Sequence, residues 1–232
     1  MSLLFEPLPP AIAPTSDGRG FPVRRIFCVG RNYAEHAKEM GDSPDPEAPF
    51  FFTKWAEALV GDGATIAYPP GTGNFHHEVE LVVAIGKAGR NIDPAEALAH
   101  VWGYAVGLDM TRRDLQFEAR GKGRPWDIAK NFEQAAPLGL LHPAAAFPDP
   151  TKGAIRLTVN GKAVQNADLN DLLNPVDRVI AFLSTLYRLE PGDLLYTGTP
   201  AGVGPVVVGD VMVATVEGLT PLTITVGAPV AT

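Results

Sequence analysis

The sequence has little cysteine and no long apolar run, and each shortage excludes a class of protein. Cys28 is the single cysteine among 232 residues, so neither an internal disulfide nor a cysteine-rich zinc site can form. No apolar stretch reaches the roughly 18 residues of a membrane-spanning helix. The proline-broken start of the chain also lacks the basic segment of a signal peptide. We therefore expect a cytoplasmic protein without a membrane partner.

Basic residues are scarce as well. The chain has 19 lysines and arginines against 26 aspartates and glutamates, a formal net charge of -7. Without a broad basic surface, nucleic acid is not an expected partner. A few local cations, or a metal ion, could still hold a small anionic substrate.

Proline and glycine are abundant, at 22 and 24 residues, and they divide the chain into short elements. No linker or repeat separates two domains, so residues 1–20 are expected to form an N-terminal extension and residues 21–232 a single catalytic domain. Because the predicted strands and helices do not alternate as in a βαβ fold, the predicted class is α+β, mostly β.

Apolar periodicity and turn residues predict the individual elements. Strands are expected at 21–29, 49–54, 79–85 and 101–108 and within 193–226, and Asn160-Gly161 predicts a hairpin within 155–164. Helices are expected at 33–40 with Asn32 as the cap and Gly41 as the end, at 94–100 with Asp93 as the cap, and from Asn174-Pro175 to about Leu189. The buried stripe expected on the last helix is Val176, Val179, Ile180, Leu183, Leu186 and Tyr187.

Two carboxylates enter the apolar strand of HHEVELVVA. Side chains alternate along a strand, so Glu78 and Glu80 point the same way and repel each other, more strongly if they are buried. A divalent cation would keep both ionised. Asp109, at the end of the next apolar strand, offers a third oxygen ligand. Three carboxylates suit a hard ion, Mg²⁺ first and Mn²⁺ or Ca²⁺ as alternatives, and leave positions for water and substrate.

Each candidate residue has a plainer interpretation. Glu-x-Glu is common on the solvated face of an edge strand, and His76 and His77 are either alternative ligands or surface residues. His36 and Glu39 lie three residues apart on one helical face, as a base with its orienting carboxylate or as an exposed pair beside surface residues Glu35 and Lys38.

Two further segments are ambiguous in the same way. Lys130, among aromatic neighbours, either extends its charge to solvent or sits beside the metal, where it would face an anionic substrate or a developing enolate. The segment TGTPAGVG lacks the ending of a nucleotide-binding P-loop. It either holds a substrate carboxylate or forms a tight turn.

Five segments, taken in order, resemble the fumarylacetoacetate hydrolase family. They are CVGRNYAEHAKEMG, HHEVELVVAIGKAGRNI, GYAVGLDMTRRDLQ, GRPWDIAKNF and LYTGTPAGVGP. Within it, the chain is most similar to the acylpyruvate hydrolases of bacterial aromatic degradation. The resemblance implies a mixed β-sandwich roll of the family's C-terminal-domain type, assembled as a homodimer. It implies these roles: Glu78, Glu80 and Asp109 as ligands of Mg²⁺ or Mn²⁺; His36 and Glu39 as activators of water; Lys130 as stabiliser of a carbanionic intermediate; and Arg113, Gln116 and Thr199 as substrate contacts.

The implied reaction is hydrolysis of a C–C bond in a 2,4-dioxo acid, with fumarylpyruvate giving fumarate and pyruvate. Decarboxylation of oxaloacetate, or tautomerisation or isomerisation of a 2-oxo acid, are alternatives on the same metal site. A non-catalytic metal-binding protein is a further alternative. One departure from the family pattern is Trp55, which follows Lys54 where proline is usual, and its indole is expected to reshape a wall of the pocket.

Overall fold

Short strands make up most of the regular structure in the computed structural model, which describes residues 3–41 and 48–230. The strands are β1 (Ile12–Pro14), β2 (Gly20–Pro22), β3 (Arg25–Gly30), β4 (Phe50–Lys54), β5 (Leu59–Val60), β6 (Thr65–Ala67), β7 (Phe75–His77), β8 (Val79–Ile85), β9 (Val101–Leu108), β10 (Thr111–Arg112), β11 (Ala136–Pro137), β12 (His142–Pro143), β13 (Ala154–Val159), β14 (Lys162–Asp168), β15 (Asp193–Tyr196), β16 (Gly204–Pro205), β17 (Val211–Val216) and β18 (Leu222–Gly227).

Helices are short and lie between the strands. The α-helices are α1 (Ala34–Glu39), α2 (Arg113–Gly121), α3 (Asp127–Lys130) and α4 (Val176–Leu186), and 3-10 turns cover Ala56–Ala58, Pro94–His100, Ala144–Ala146 and Leu169–Asp171. Within the two described ranges, no helix is both long enough and apolar enough to cross a bilayer. The predicted class, α+β and mostly β, is confirmed.

Two sheets form the body of the molecule. The six-stranded sheet has the order β12-β9-β8-β15-β3-β4, and the five-stranded sheet has the order β14-β13-β17-β18-β6. Strands β13 and β17 pack against β8 and β9, so the core lies between the sheets. Every residue of β8 is buried, which accounts for its apolar sequence, interrupted only by Glu80. In β17 and β18, by contrast, buried and half-buried residues alternate, as expected where the two faces of a sheet differ in exposure.

The hairpin predicted from Asn160-Gly161 joins β13 to β14. Both turn residues have positive φ, 51° and 78°, as a type I′ turn requires. The hairpin places β14 at the edge of the five-stranded sheet, and Gln165 of that strand is buried.

The helix that carries His36 forms as predicted, but its cap does not. Tyr33 occupies the cap position without a side-chain hydrogen bond. Asn32 instead donates to the carbonyl oxygens of Asn174 and Thr197, at 2.9 and 2.8 Å, and accepts from the Asn174 N–H. These distant partners outcompete the local cap. Gly41 ends the helix with φ +76°, as expected.

The other two helices differ from prediction in detail. The segment Pro94–His100 is a 3-10 helix, with the Asp93 side chain capping it through the Ala95 N–H. The long helix ends at Leu186 rather than near Leu189. The expected stripe is wrong at its end, because Leu186 and Tyr187 are 53% and 44% exposed. Tyr187 is already extended, and its ring packs on Phe27 at 5.2 Å between centroids.

The N-terminal segment lies against the body from β1 onward, because β1 pairs with β2 and Ser16 N–H donates to Leu141 O. Residues 3–10 are exposed, Leu4 to 99%. The division of the chain at residue 20 stays a prediction.

Candidate active site

One pocket gathers most of the candidate residues. Its lining is Val29, Gly30, Arg31, His36, Met40, Phe52, Glu78, Glu80, Asp109, Arg113, Gln116, Arg120, Trp126, Lys130 and Thr199. Of the nine predicted site residues, only Glu39 does not line it, and Glu39 contacts His36. The structure therefore brings together residues from distant parts of the chain, while their individual roles stay predictions.

The acidic cluster is built by two neighbouring antiparallel strands. Glu78 directly precedes β8, Glu80 is the second residue of β8, and Asp109 directly follows β9. In the register of these strands, Glu80 lies opposite Gly107, and Asp109 N–H donates to Glu78 O at 2.9 Å. One carboxylate oxygen from each acid lies within 4.8 Å of the others, and all three residues are buried. The interpretation of Glu-x-Glu as a solvated edge is wrong.

Cations compensate two of the three acids. Lys130 Nζ lies 2.7 Å from Glu78 Oε2 and 2.7 Å from Asp109 Oδ2. Arg113 forms an ion pair with Glu78 Oε1, and Lys54 Nζ lies 2.8 Å from Asp109 Oδ1. Burial alone would raise the pKa of Glu78, but Lys130 and Arg113 outweigh it and lower that pKa. Lys130 is buried rather than extended to solvent, so the plainer interpretation of this residue is wrong.

The third acid, Glu80, is not compensated in this way. The ion pairs among the described residues do not include it, and its Oε2 accepts a hydrogen bond from Gly198 N–H at 2.7 Å. Burial and the nearby carboxylates of Asp109 and Glu78 raise the pKa of Glu80 well above its ordinary value. Asp109 Oδ1 also receives no hydrogen bond from a described residue, although Lys54 is close. An all-oxygen set with one uncompensated carboxylate fits a hard divalent cation.

The two histidines before β8 lie outside this cluster. His76 Nδ1 accepts from Arg113 Nε at 3.3 Å, and His77 Nδ1 lies 3.1 Å from Gln165 Oε1. Burial lowers the pKa of His76 to about 4, with a further contribution from Arg113. The histidines therefore support neighbouring side chains, and within the described ranges the only metal-type cluster is formed by the three acids.

His36 and Glu39 form a hydrogen-bonded pair in which the imidazole is buried and the carboxylate is exposed. His36 Nδ1 lies 3.2 Å from Glu39 Oε2, and His36 is only 6% exposed. Gly202 N–H donates to the Glu39 carboxylate at 3.2 Å, which joins the helix to the glycine-rich loop. Burial alone would raise the pKa of Glu39, but the hydrogen bonds from His36 and Gly202 outweigh it and lower that pKa. Glu39 is thus an ionised carboxylate behind the imidazole.

The glycine-rich loop after β15 is held against the acidic cluster. Thr197 donates to Leu81 O through both its N–H and its hydroxyl group, at 3.1 and 2.9 Å. Gly198 has φ +102°, and a Cβ there would lie 2.6 Å from Cβ of Asn32. Only glycine therefore lets the backbone N–H reach Glu80. Thr199, 3% exposed, then lines the pocket.

Sequence reasoning missed part of the pocket wall and misplaced another part. Trp55 is 49% exposed and does not line the pocket, because Lys54 points inward and alternation turns the next side chain outward. The indole in the wall belongs to Trp126, whose ring meets Phe50 edge-on at 5.3 Å. Arg31 also lines the pocket. It follows a strand, as Asp109 does, and this position could have marked it as a candidate site residue.

Comparison with known proteins adds the family. The family model described as "Fumarylacetoacetate (FAA) hydrolase C-terminal" matches residues 25–227. The chain belongs to the fumarylacetoacetate hydrolase family. The resemblance seen in the five sequence segments is therefore confirmed, and so is the C-terminal-domain fold of that family.

Individual members of the family are similar over most of their length. A fumarylpyruvate hydrolase of Ralstonia sp is 50% identical over 181 residues, which cover 78% of this chain and 94% of the relative. The mitochondrial oxaloacetate tautomerase FAHD1 of Homo sapiens is 41% identical over 206 residues, 89% of this chain and 93% of the relative. The crystal structure of fumarylpyruvate hydrolase from Pseudomonas aeruginosa in complex with Mn²⁺ and pyruvate superposes with a TM-score of 0.95, at 48% identity, covering 98% of this chain and 100% of that one.

Proposed function

We propose that the protein is a metal-dependent hydrolase that cleaves a C–C bond of a 2,4-dioxo acid, with fumarylpyruvate as substrate and fumarate and pyruvate as products. The observation that carries the proposal is the meeting, in one pocket, of an incompletely compensated carboxylate cluster and a buried histidine that is hydrogen-bonded to Glu39. The similarity to fumarylpyruvate hydrolases supports the choice of substrate.

Glu78, Glu80 and Asp109 would hold the metal ion, Mg²⁺ first, with Mn²⁺ or Ca²⁺ as alternatives. When bound, such an ion supplies Lewis-acid polarisation of substrate oxygens and balances the charge of the cluster. The Mn²⁺ in the similar Pseudomonas aeruginosa structure supports a divalent ion at this kind of site.

The hydrolytic step is assigned to the chain's own residues. His36 accepts a proton from water, with Glu39 fixing the imidazole and stabilising its protonated form. The water oxygen attacks the distal carbonyl carbon, and the bond between that carbon and the neighbouring CH₂ breaks. Its electron pair passes to the pyruvate fragment as an enolate. The proton that His36 took from water then adds, directly or through solvent, to the enolate carbon to give pyruvate, and the other product is a carboxylic acid.

Lys130 would stabilise the enolate as a fixed cation. Burial opposes its charge, but Asp109 and Glu78 outweigh burial and raise the pKa of Lys130, so it stays an ammonium group. It acts through charge rather than by exchanging protons. Arg113, Gln116 and Thr199, which line the same pocket, would bind the substrate's carboxylate and oxo groups.

Two arginines of the outer pocket support an acyl chain that carries a terminal carboxylate. Arg31 lies over the rings of Phe50 and Trp126, at 5.3 and 5.6 Å from their centroids, so its guanidinium has a defined position. Arg120 also lines the pocket and donates to Met40 O at 2.7 Å. Both arginines line the wall of the pocket. A fumaryl group carries a terminal carboxylate that can meet them, whereas an acetyl group does not.

Oxaloacetate tautomerisation or decarboxylation is the second candidate, and the similarity to FAHD1 favours tautomerisation. Neither reaction needs an attacking water, so the hydrogen-bonded His36–Glu39 pair supports hydrolysis instead. The two candidates predict different effects of removing His36.

The test is a substrate panel assayed with Mg²⁺ and with EDTA. Pyruvate release from fumarylpyruvate should exceed that from acetylpyruvate, should exceed any turnover of oxaloacetate, and should stop in EDTA. His36→Gln should abolish hydrolysis while the protein still shows a metal-dependent rise in melting temperature. Faster conversion of oxaloacetate, retained in His36→Gln, would favour the second candidate. No turnover and no response to metal would favour a non-catalytic protein.

We also propose that the protein acts in the cytoplasm as a homodimer, in the degradation of aromatic compounds. A buried, reduced cysteine suits a reducing compartment. Exposed apolar side chains at Leu4, Phe5 and Leu8 give a surface that a second copy could cover.

A further inference from the structure

Gln165, a buried residue of β14, reaches across from the five-stranded sheet to the active site. It is 1% exposed. Its Oε1 accepts from Val79 N–H at 3.1 Å, between the two glutamates of the cluster, and lies 3.1 Å from His77 Nδ1. Its Nε2 donates to Thr199 Oγ1 and to Pro200 O, both at 2.8 Å. One amide therefore connects the strand of the metal ligands with the glycine-rich loop.

The backbone partners fix which way this amide points. The Val79 N–H can only donate and the Pro200 carbonyl can only accept, so the oxygen must face Val79 and the NH₂ group must face the loop. The Thr199 hydroxyl oxygen consequently receives a hydrogen bond from Gln165. Its own proton is left to be donated to another acceptor.

That remaining proton is in the right place to serve a ligand. Thr199 lines the pocket, and the preceding residue, Gly198, donates its N–H to Glu80. The hydroxyl group therefore lies next to the metal site. Because it accepts a hydrogen bond from Gln165, it is left to act as a donor towards a ligand. A group that needs a donor here is the carboxylate or oxo oxygen of a 2-oxo acid.

We propose that Gln165 is a positioning residue: by donating to Thr199 Oγ1, it makes the Thr199 hydroxyl a hydrogen-bond donor directed at the substrate's oxygen atoms. The inference rests on the proposed function, since it takes a 2-oxo acid as the ligand. If Gln165 only linked the two sheets, it would be equally buried, but the effect of its replacement on ligand binding would not depend on the Thr199 hydroxyl.

The experiment compares Gln165→Met, Thr199→Val and the double variant with wild type. Asn166→Met is the matched control, because this neighbour on β14 is exposed and its Oδ1 accepts from Arg156 Nε. Pyruvate binding to the Mn²⁺-loaded protein is measured by calorimetry, and KM and kcat are measured with fumarylpyruvate. The metal-dependent shift in melting temperature reports separately on the metal site.

Gln165→Met and Thr199→Val should each weaken pyruvate binding and raise KM by about tenfold, the size expected for one hydrogen bond to a charged group. The kcat should stay within about threefold, with a normal metal response. The double variant should be no worse than Thr199→Val, because Gln165 acts through the hydroxyl. Fully additive losses, or a Gln165→Met protein with normal pyruvate affinity, would overturn the proposal.

Gln165→Glu keeps the proposal testable if the methionine variant does not fold. It retains an acceptor for Val79 N–H but takes the Thr199 proton instead of leaving it for the ligand. Pyruvate binding should therefore be weakened as in Thr199→Val, and wild-type binding would overturn the proposal. Because calorimetry needs no turnover, a wild-type protein that binds pyruvate but does not hydrolyse fumarylpyruvate would refute the proposed reaction without refuting this inference.

Discussion

Replacing Glu80 with glutamine tests whether Glu80 is a metal ligand or a carboxylate with only a structural role. The amide oxygen of Glu80→Gln can still accept the Gly198 hydrogen bond. The change also removes a buried carboxylate that lies beside Asp109 and Glu78 without a cationic partner among the described residues. In metal-free protein the melting temperature should therefore be unchanged or higher. Removing one partner of a buried ion pair would instead destabilise the fold by about 3–5 kcal/mol.

In the presence of metal, by contrast, Glu80→Gln should be less stable than wild type. An ion present at a hundred times its Kd adds about 2.7 kcal/mol to the free energy of unfolding of wild type. For a domain of this size, each kcal/mol moves the melting temperature by about 2–4 °C, so the shift should be about 5–11 °C. Glu80→Gln should lose most of that shift. Its hydrolytic rate should fall more than about a hundredfold, since even partners behind metal ligands are worth 10–100-fold.

Differential scanning fluorimetry with Mg²⁺ or Mn²⁺ against EDTA, combined with pyruvate release, measures both effects. Glu118→Gln is the matched control, because this glutamate is exposed and pairs with Lys122 on the surface. Its melting temperature should change by less than the equivalent of about 0.5 kcal/mol, and its metal response should be normal. A metal-free Glu80→Gln protein that is strongly destabilised, or one that keeps the full metal shift, would refute the assignment of Glu80 as a ligand.

Three further changes test other contacts of the site. Glu39→Gln should lower kcat by about 10–100-fold with an unchanged metal response, because the neutral amide stabilises a protonated imidazole less well; wild-type kcat would remove Glu39 from the mechanism. Arg31→Met should reduce kcat/KM about tenfold or more for fumarylpyruvate but little for acetylpyruvate, and equal losses would contradict a role in binding the acyl carboxylate. Lys54→Met should destabilise the metal-free protein by about 3–5 kcal/mol in urea unfolding, since it removes a buried partner of Asp109; the exposed Lys38→Met control should cost less than about 1 kcal/mol.

The acidic cluster could be predicted from sequence because its geometry is local. Alternation fixes the relation of Glu78 to Glu80, and an apolar strand that ends in Asp109 places a carboxylate at a strand end. The hairpin at Asn160-Gly161 is equally local, since the turn residues themselves define it. In each case the deciding interaction lies within a few residues along the chain.

The errors arose where distant residues compete for a side chain. Asn32 has the chemistry of a helix cap, yet Asn174 and Thr197 take its amide, 142 and 165 residues away in sequence. Gln165 could not be recognised for a similar reason. Its importance depends on β14 lying beside Val79 and Thr199, and no sequence pattern near Gln165 encodes that contact.

The ion pairs of the acidic cluster explain how the fold tolerates buried acids. Glu78 and Asp109 are paired with three cations, Lys130, Arg113 and Lys54, so they are held in place as part of the folded structure. Glu80 is held only by a backbone N–H, so its charge finds no full compensation among the described residues. Full pairing of all three acids would leave a cation little to gain by binding, because the protein would already satisfy each carboxylate. With two acids paired and one uncompensated, the cluster stays ordered, and a divalent ion still gains electrostatic energy by binding.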